Sequence, residues 1–406
     1  MNFDFLKKLI KPADTKIAMI VLDGLGGLPE EPGGQTELEA AHTPNLDVLA
    51  KEGMSGLHLP VGPGIMPGSG PAHLALFGYD PVIHDVGRGV LSALGVEFDL
   101  AKSDVAARGN FCTIDSDGTI TDRRAGRIST EKNEELCKLL REIKLPGVEL
   151  FIETVKEHRF LFVIRGKSLS GSLVDTDPHE VGKKPRAARP ISSSSESKEA
   201  EKTADIINQF IEKANKKLAD RHPANSLLLR GFAKAPDWPS MSEVYGLNPA
   251  AIAAYPMYRG VGKLIGMTTL EAPDNVEKEF DVLEKHWDSY DFFYLHAKHV
   301  DSSGEDGNSQ EKRAYIEEVD EQIPRLRALA PDVVIVTGDH STPTLMKSHS
   351  WHPVPVIMHG DLVRPDNVEQ FGERNCITGG LGPRFPAVDI MPLALAHAGR
   401  IDKFGA

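Results

Sequence analysis

Three short, unbroken apolar runs in this chain stop at carboxylate or imidazole side chains, and a fourth is entered through two histidines. Lys16 to Leu22 ends at Asp23-Gly24-Leu25-Gly26-Gly27. Tyr290 to Leu295 leads into His296 and on to Asp301 and Glu305. Asp332 to Val336 ends at Thr337-Gly338-Asp339-His340, and Val354 to Met358 follows His349-Ser-Trp-His352-Pro353. Runs this short, with no polar alternation, are strands buried on both faces, as in a parallel sheet covered by helices. Helix-like stretches alternate with them. One is Thr43 to Gly53, with Thr43 as N-cap, Pro44 at the first position and Gly53 as the stop. The expectation is an α/β chain on a doubly wound, mostly parallel sheet. Such a sheet keeps its ligands beyond the carboxyl ends of its strands, where Asp23, Ser69, Asp301, Glu305, Asp339, His340 and His349, at strand ends or in adjoining loops, would converge. The glycines after Asp23 lack the Gly-x-Gly-x-x-Gly spacing of a dinucleotide turn.

Met66-Pro-Gly-Ser-Gly-Pro-Ala-His is a turn running into a second apolar, helix-compatible stretch, Ala72 to Phe77. It places Ser69 at or next to a helix N-terminus, where free N–H groups and the helix dipole favour an anion. Alone, a serine there is an ordinary N-cap. Beside Asp23, Asp301, Glu305, Asp339, His340 and His349 it becomes a hydroxyl that metal ions would activate. These oxygen and imidazole donors suit two divalent cations, and a mixed Asp, Glu and His set admits Mn2+, Zn2+, Co2+ or Mg2+. Two such cations clamp the attacking and leaving oxygens of a phosphoryl transfer and make a serine nucleophilic at neutral pH. A phosphoserine intermediate follows.

From about Val105 the pattern changes. A strand-like Phe160 to Ile164, a hairpin-like Asp115-Ser-Asp-Gly118 turn and a helix-like 130–142 are mixed with many arginines and lysines. Ile191 to Thr203, rich in Ser and charge, is expected to be an exposed loop, and Ala204 to Leu218 a helix. The segment 105–230 is therefore expected to be an inserted α+β domain, leaving 1–104 and 231–406 as the core. Most of its basic residues suit plain solvated surface. Asp122-Arg-Arg-Ala-Gly-Arg127 is the exception, because guanidinium forks match phosphate and carboxylate.

The formal net charge of −13 argues against nucleic-acid binding, though a small anion needs only a local basic pocket. Three cysteines far apart form neither a disulfide framework nor a thiolate metal site. The N-terminal stretch lacks the pattern of a signal peptide, and no apolar run approaches the ~18 residues of a membrane span. A cytoplasmic protein is expected, its oligomeric state left open, a homo-oligomer included.

Val-Leu-Asp23-Gly, Pro-Gly-Ser69-Gly-Pro-Ala-His, Asp301-x-x-x-Glu305-Asp-Gly, Thr-Gly-Asp339-His340-Ser-Thr and His349-Ser-x-x-Pro-Val-Pro together resemble the cofactor-independent phosphoglycerate mutases of archaeal type, within the alkaline phosphatase superfamily. The likeness runs over nearly the whole chain and includes Gly87-Arg-Gly89, Ala107-Arg-Gly-Asn110 and Ala254-Tyr-Pro-Met-Tyr-Arg259-Gly. It implies interconversion of 3-phosphoglycerate and 2-phosphoglycerate, with two metal ions (Mn2+ first) and no 2,3-bisphosphoglycerate. It implies that Asp23, Ser69, Asp339 and His340 surround one ion and that Asp301, Glu305 and His349 hold the other. Glu305 departs from relatives that place histidine there, and its harder oxygen favours Mn2+ or Mg2+. His349 is preferred to His352 for its distance to Pro353-Val-Pro355. The inserted domain becomes a cap, with Arg123, Arg124, Arg127, Arg230, Arg259, Lys263 and Lys298 as substrate-binding candidates. Asp177 and His179 become acid/base candidates, with a plain turn as their alternative. The rival functions are a phosphatase or phosphomutase of the same superfamily, and a non-catalytic metal-binding protein.

Overall fold

In the computed structural model, which describes residues 2–191 and 197–405, the strand Ile17–Leu22 is buried at every position. It pairs in parallel with Phe292–Ala297 on one side and Val333–Thr337 on the other. The full sheet has eight strands, in the order Gly382–Pro386, Met54–Leu59, Val354–His359, Val333–Thr337, Ile17–Leu22, Phe292–Ala297, Pro249–Ala253, Thr268–Leu270. Every neighbouring pair is parallel except those made by Val354–His359, which runs against both its neighbours. That reversal accounts for the odd order of its motif. The forward strands carry their polar residues after them, whereas His349 precedes the reversed strand and so reaches the same end of the sheet.

Helices cover both faces. Ala18, Ile20 and Leu22 look onto a core with Leu46 and Leu49 from helix Pro44–Glu52, Phe280 and Leu283 from Val276–His286, and Ile316, Val319, Ile323 and Leu326 from Ser309–Ala328. The last four recur at intervals of three and four residues, one face of a helix. Each large aliphatic side chain buried this way contributes about 1.5–3 kcal/mol, several times an exposed ion pair. On the opposite face, Tyr294 meets Phe77 and His73 of the helix Ser69–Leu76 region, and His296 stacks on Tyr258 of helix Pro256–Leu264. Thr43 precedes Pro44–Glu52 as expected, but its side chain makes no capping bond.

The chain divides into two compact units, Met1–Asp85 with Trp238–Ala406, and Val86–Asp237. The second is wider at both ends than 105–230. Its early part is helix Arg88–Leu94, whose Ala93 packs with Ala106 of the strand Asp104–Ile114. A Cβ on Gly89 would lie 2.3 Å from the Ala106 carbonyl oxygen, so glycine permits that approach. Asp104–Ile114 is the middle of a five-stranded antiparallel sheet, between Arg159–Arg165 and Ser226–Lys234, with Glu149–Lys156 and Ile120–Asp122 completing it. Helices Thr130–Arg141 and Ser197–Leu218 bury Leu136, Leu140, Ile207 and Phe210 against it.

The run Ile191 to Thr203 is not a loop throughout. Residues 192–196 lie outside the described residues, but the helix starts at Ser197, with Ala200 and Thr203 buried. Serine and charge were the local signal; the apolar stripe that buries Ala200 needs the sheet opposite it. No helix among the described residues is long and apolar enough to cross a membrane.

Candidate active site

Asp23 directly follows its strand, and Asp339 and His340 follow Val333–Thr337 after one glycine. Asp301 lies in the first turn of helix His299–Asp306, beyond Phe292–Ala297. These four residues are at most 2% exposed. Around the Nε2 atom of His340 stand Asp339 Oδ2 at 3.2 Å, Ser69 Oγ at 3.3 Å and Asp23 Oδ1 at 3.4 Å. Ser69 is the first residue of helix Ser69–Leu76, and Gly68 holds the N-cap position without any side-chain cap. The hydroxyl therefore turns toward the histidine instead of capping its own helix.

The hydrogen-bond pattern decides which His340 nitrogen carries the proton. Thr342 Oγ1 lies 2.7 Å from Asp301 Oδ1 and 3.0 Å from His340 Nδ1. A hydroxyl has one proton, and a carboxylate can only accept. Thr342 thus donates to Asp301 and accepts from His340 Nδ1–H, leaving the Nε2 lone pair facing the two carboxylates. Burial agrees, because it pushes the His340 pKa down despite Asp339 and Asp23. His349 follows the same logic. Its Nδ1 donates to the Pro67 carbonyl at 2.9 Å, so Nε2 presents its lone pair to Asp301 Oδ1 at 3.7 Å and Glu305 Oε1 at 3.9 Å. The two imidazoles stack with centroids 3.6 Å apart.

Asp23 is held from behind. Its Oδ2 accepts from the Tyr258 hydroxyl at 2.5 Å and faces His296 Nε2 and Lys298 Nζ, each at 3.1 Å. Burial opposes its charge, yet Lys298, His296 and His340 together keep its pKa well below the ordinary carboxylate value. Lys298 also pairs with Asp301. His73, one turn after Ser69, places Nδ1 2.8 Å from the Ser69 carbonyl oxygen and 3.1 Å from Asp339 Oδ2.

Among the described residues Asp23 Oδ1 is buried without a hydrogen-bond donor, and Asp339 Oδ2 has only the His73 Nδ1 that also serves the Ser69 carbonyl. Two under-satisfied carboxylate oxygens and an imidazole lone pair converging on one point repel unless a cation lies between them. The residues therefore fit a divalent metal ion. Among the described residues two donor groups form, Asp23–Asp339–His340 and Asp301–His340–His349, the ligand atoms of each within 4.8 Å of one another. His340 belongs geometrically to both. Glu305 belongs to neither close group; its carboxylate sits at the rim, 56% exposed.

The other expected residues divide. His352 turns to Ser350 Oγ at 2.9 Å, away from the donors. Arg259 braces the carbonyls of Ala253 and Ala254. Lys263 is exposed in the last turn of Pro256–Leu264. Lys298, expected at a phosphate, is engaged by Asp23 and Asp301. In the second unit, Arg123 forms a two-pronged bond to buried Asp177, at 3.0 and 2.6 Å. Arg230 Nε lies 3.4 Å from the same carboxylate. Burial opposes the Asp177 charge, but Arg123, the His179 amide and Arg230 hold its pKa below normal. His179 is half-exposed, 3.4 Å from Asp175. Arg124 and Arg127 are exposed on their turn. Arg108 joins this group; burial, then Arg88, Arg159 and Arg230, lower its pKa to about 10. Its Nε donates to Ser92 Oγ at 2.8 Å.

Sequence reasoning did not single out Tyr258, His296, His73 or Thr342. His73 carried a legible signal, four residues after Ser69 on a helix. His296 closes the run Tyr290 to Leu295, but only the stacking of a helix on the sheet sets it, with Tyr258, behind Asp23.

Residues 50–225 match the family model of 2,3-bisphosphoglycerate-independent phosphoglycerate mutase. The chain is 48% identical over its whole length to a Thermus thermophilus protein named as a probable mutase of this kind, covering 99% of it. It is 46% identical to one from Aquifex aeolicus, covering 99% of this chain and all of the relative. Among solved structures, the cofactor-independent phosphoglycerate mutase of Thermoplasma acidophilum aligns with a TM-score of 0.73 and 31% identity, over 95% of this chain and all of that one. A Pyrococcus horikoshii structure aligns at 0.79 and 32%, over 97% and 99%. These relatives place the chain, with its mostly parallel α/β sheet, among phosphoryl-transfer proteins. Within that class, the chain belongs to the 2,3-bisphosphoglycerate-independent phosphoglycerate mutases.

Proposed function

We propose that this protein interconverts 3-phosphoglycerate and 2-phosphoglycerate through a phosphoserine on Ser69, with no 2,3-bisphosphoglycerate. The observation that carries this reading is Ser69 Oγ 3.3 Å from His340, beside the buried Asp23 and Asp339. Asp23, Asp339, His340 and Ser69 would hold one divalent cation, and Asp301, His349 and Glu305 a second, Mn2+ being the first candidate. Bound there, the ions would neutralise phosphoryl charge and acidify the serine hydroxyl.

The chain's own groups do the rest. Ser69 Oγ attacks phosphorus as the bond to the departing glycerate oxygen breaks, and that oxygen takes up a proton. The N-terminus of helix Ser69–Leu76 adds positive potential behind the phosphoryl group. Glycerate then turns, and its other hydroxyl takes the phosphoryl group back while giving up a proton. His179 suits these transfers by its exposure, with Asp175 within reach. Asp177, locked by Arg123, is the weaker base and positions that arginine. Arg123, Arg230 and Arg108 are the anion-binding groups of the second unit, which serves as the cap; Arg124, Arg127, Arg259 and Lys263 complete the candidates. Water must stay out during the turn, or hydrolysis wins. The buried, unpaired cysteines suit the proposed cytoplasmic setting.

Phosphorus NMR of the protein with Mn2+ and 3-phosphoglycerate tests the proposal. The 2-phosphoglycerate resonance should grow without inorganic phosphate. Phosphate release instead would make the protein a phosphatase.

A further inference from the structure

Lys312 lies in the first part of helix Ser309–Ala328 and has no exposed surface. Its Nζ donates to three backbone carbonyls, Gly24 at 2.9 Å, Gly26 at 3.1 Å and Thr342 at 2.9 Å. A neutral amine has two N–H bonds and a lone pair; three carbonyl acceptors are satisfied only by an ammonium. Burial lowers its pKa, while Glu37, Glu373 and Asp301 act to raise it. No carboxylate forms an ion pair with it among the described residues, so carbonyl dipoles do the direct work. Burying a charge is costly, and filling this space needs no charge.

The acceptors are the backbone of the site. Gly24 follows Asp23, and its N–H donates to Asp339 Oδ1 at 3.0 Å. Gly24 and Gly26 also accept from the Thr342 amide, at 3.2 and 3.0 Å. Gly24 has a φ of +69°, and a Cβ there would come within 2.9 Å of Thr342 and Asp301, so the loops are in contact. Thr342 in turn bridges Asp301 and His340 through its hydroxyl. One ammonium thus gathers the loop after Asp23 and the loop after His340, and through Thr342 reaches both donor groups.

We propose that Lys312 is a positioning residue, whose ammonium pins these two loops together and sets the spacing of the carboxylate and imidazole donors. Without it the Thr342 carbonyl loses its donor, Gly24 and Gly26 are left to share the Thr342 amide, the loops separate, and the donors no longer converge. The inference rests on the metal-binding reading of the site, so its test reads metal uptake instead of turnover.

Mn2+ binding is measured by equilibrium dialysis on the wild-type chain, on Lys312→Met and on Lys312→Gln, with circular dichroism confirming the folded fraction. The wild type should take up two Mn2+ per chain. Lys312→Met, of similar length but without donors, should bind at least about tenfold more weakly while still folded, and Lys312→Gln, with two N–H donors, should fall between. A role confined to stability would lower the melting temperature and leave the affinity of folded protein unchanged, which would overturn the proposal. Recovery of both variants only as aggregates would also overturn it, since a positioning role leaves the fold standing. Failure of the wild type itself to bind Mn2+ would remove the metal-site reading first and this inference with it.

Discussion

In the first unit the candidate functional groups are carboxylates and imidazoles sunk at strand ends, with Asp23, Asp339 and His340 fully buried. In the second unit they are guanidinium groups around an antiparallel sheet, with Arg123 26% and Arg230 18% exposed. The acidic cluster is braced by the protein itself: Asp23 has three partners behind it, and Thr342 fixes the tautomer of His340. The basic cluster is only part-satisfied. Asp177 is the carboxylate shared by Arg123 and Arg230, while Arg108 is crowded by other arginines. Burial therefore serves different ends. Deep in the first unit it leaves the donors short of a counter-charge; in the second, partial exposure leaves the guanidinium groups open to solvent.

The largest expected effect tests the first cluster at its centre. Ser69→Ala should lower mutase turnover at least ~10^4-fold with circular dichroism unchanged. More than a trace of turnover would break the contrast, because the acidic cluster would then surround no nucleophile. Next comes metal removal. Chelation should abolish turnover, restored by Mn2+, and should lower the melting temperature by several degrees, since an ion bound only to the folded state at a hundredfold excess over Kd contributes about 2.7 kcal/mol. A chelated protein melting at the original temperature would mean the buried carboxylates are content alone.

The second cluster should respond differently. Arg108→Ala or Arg230→Ala should raise KM about 10- to 100-fold, the worth of a charge-assisted hydrogen bond, without changing Mn2+ affinity. A loss of Mn2+ affinity would show that the clusters are not independent. The last effect is on stability alone and concerns Glu279, 2% exposed in the first unit, whose pKa burial raises to about 9, with Asp274 adding to it. Its folded form keeps a proton that the unfolded chain loses near 4.5, so stability should fall as pH rises from there toward about 9. Glu279→Gln should flatten that slope, raising the melting temperature at pH 8 and leaving it unchanged at pH 4, as read by calorimetry.

Much of the acidic cluster was legible because its strands are short and mostly apolar. Where Ile17–Leu22, Phe292–Ala297 and Val333–Thr337 end, a polar residue can only lie at the rim of a parallel sheet. The basic cluster was less legible. Arginines are common on surfaces, and spacing alone did not separate Arg123, gripping Asp177, from the exposed Arg124 beside it. The helix at Ser197–Leu218 was read too short for a related reason, since burial of Ala200 depends on a sheet formed by distant segments.

What the amino-acid order determined by itself was periodicity and chemistry: which runs are strands, which ends carry donors, and that Ser69 opens a helix. Tertiary structure alone decided that Val354–His359 runs backwards, that His340 faces both donor groups, that Glu305 stays at the rim, and that Lys312 sits under the loops. The reason is physical. Periodicity is a property of neighbours along the chain, whereas proton location, burial and charge balance depend on groups brought together from hundreds of residues apart.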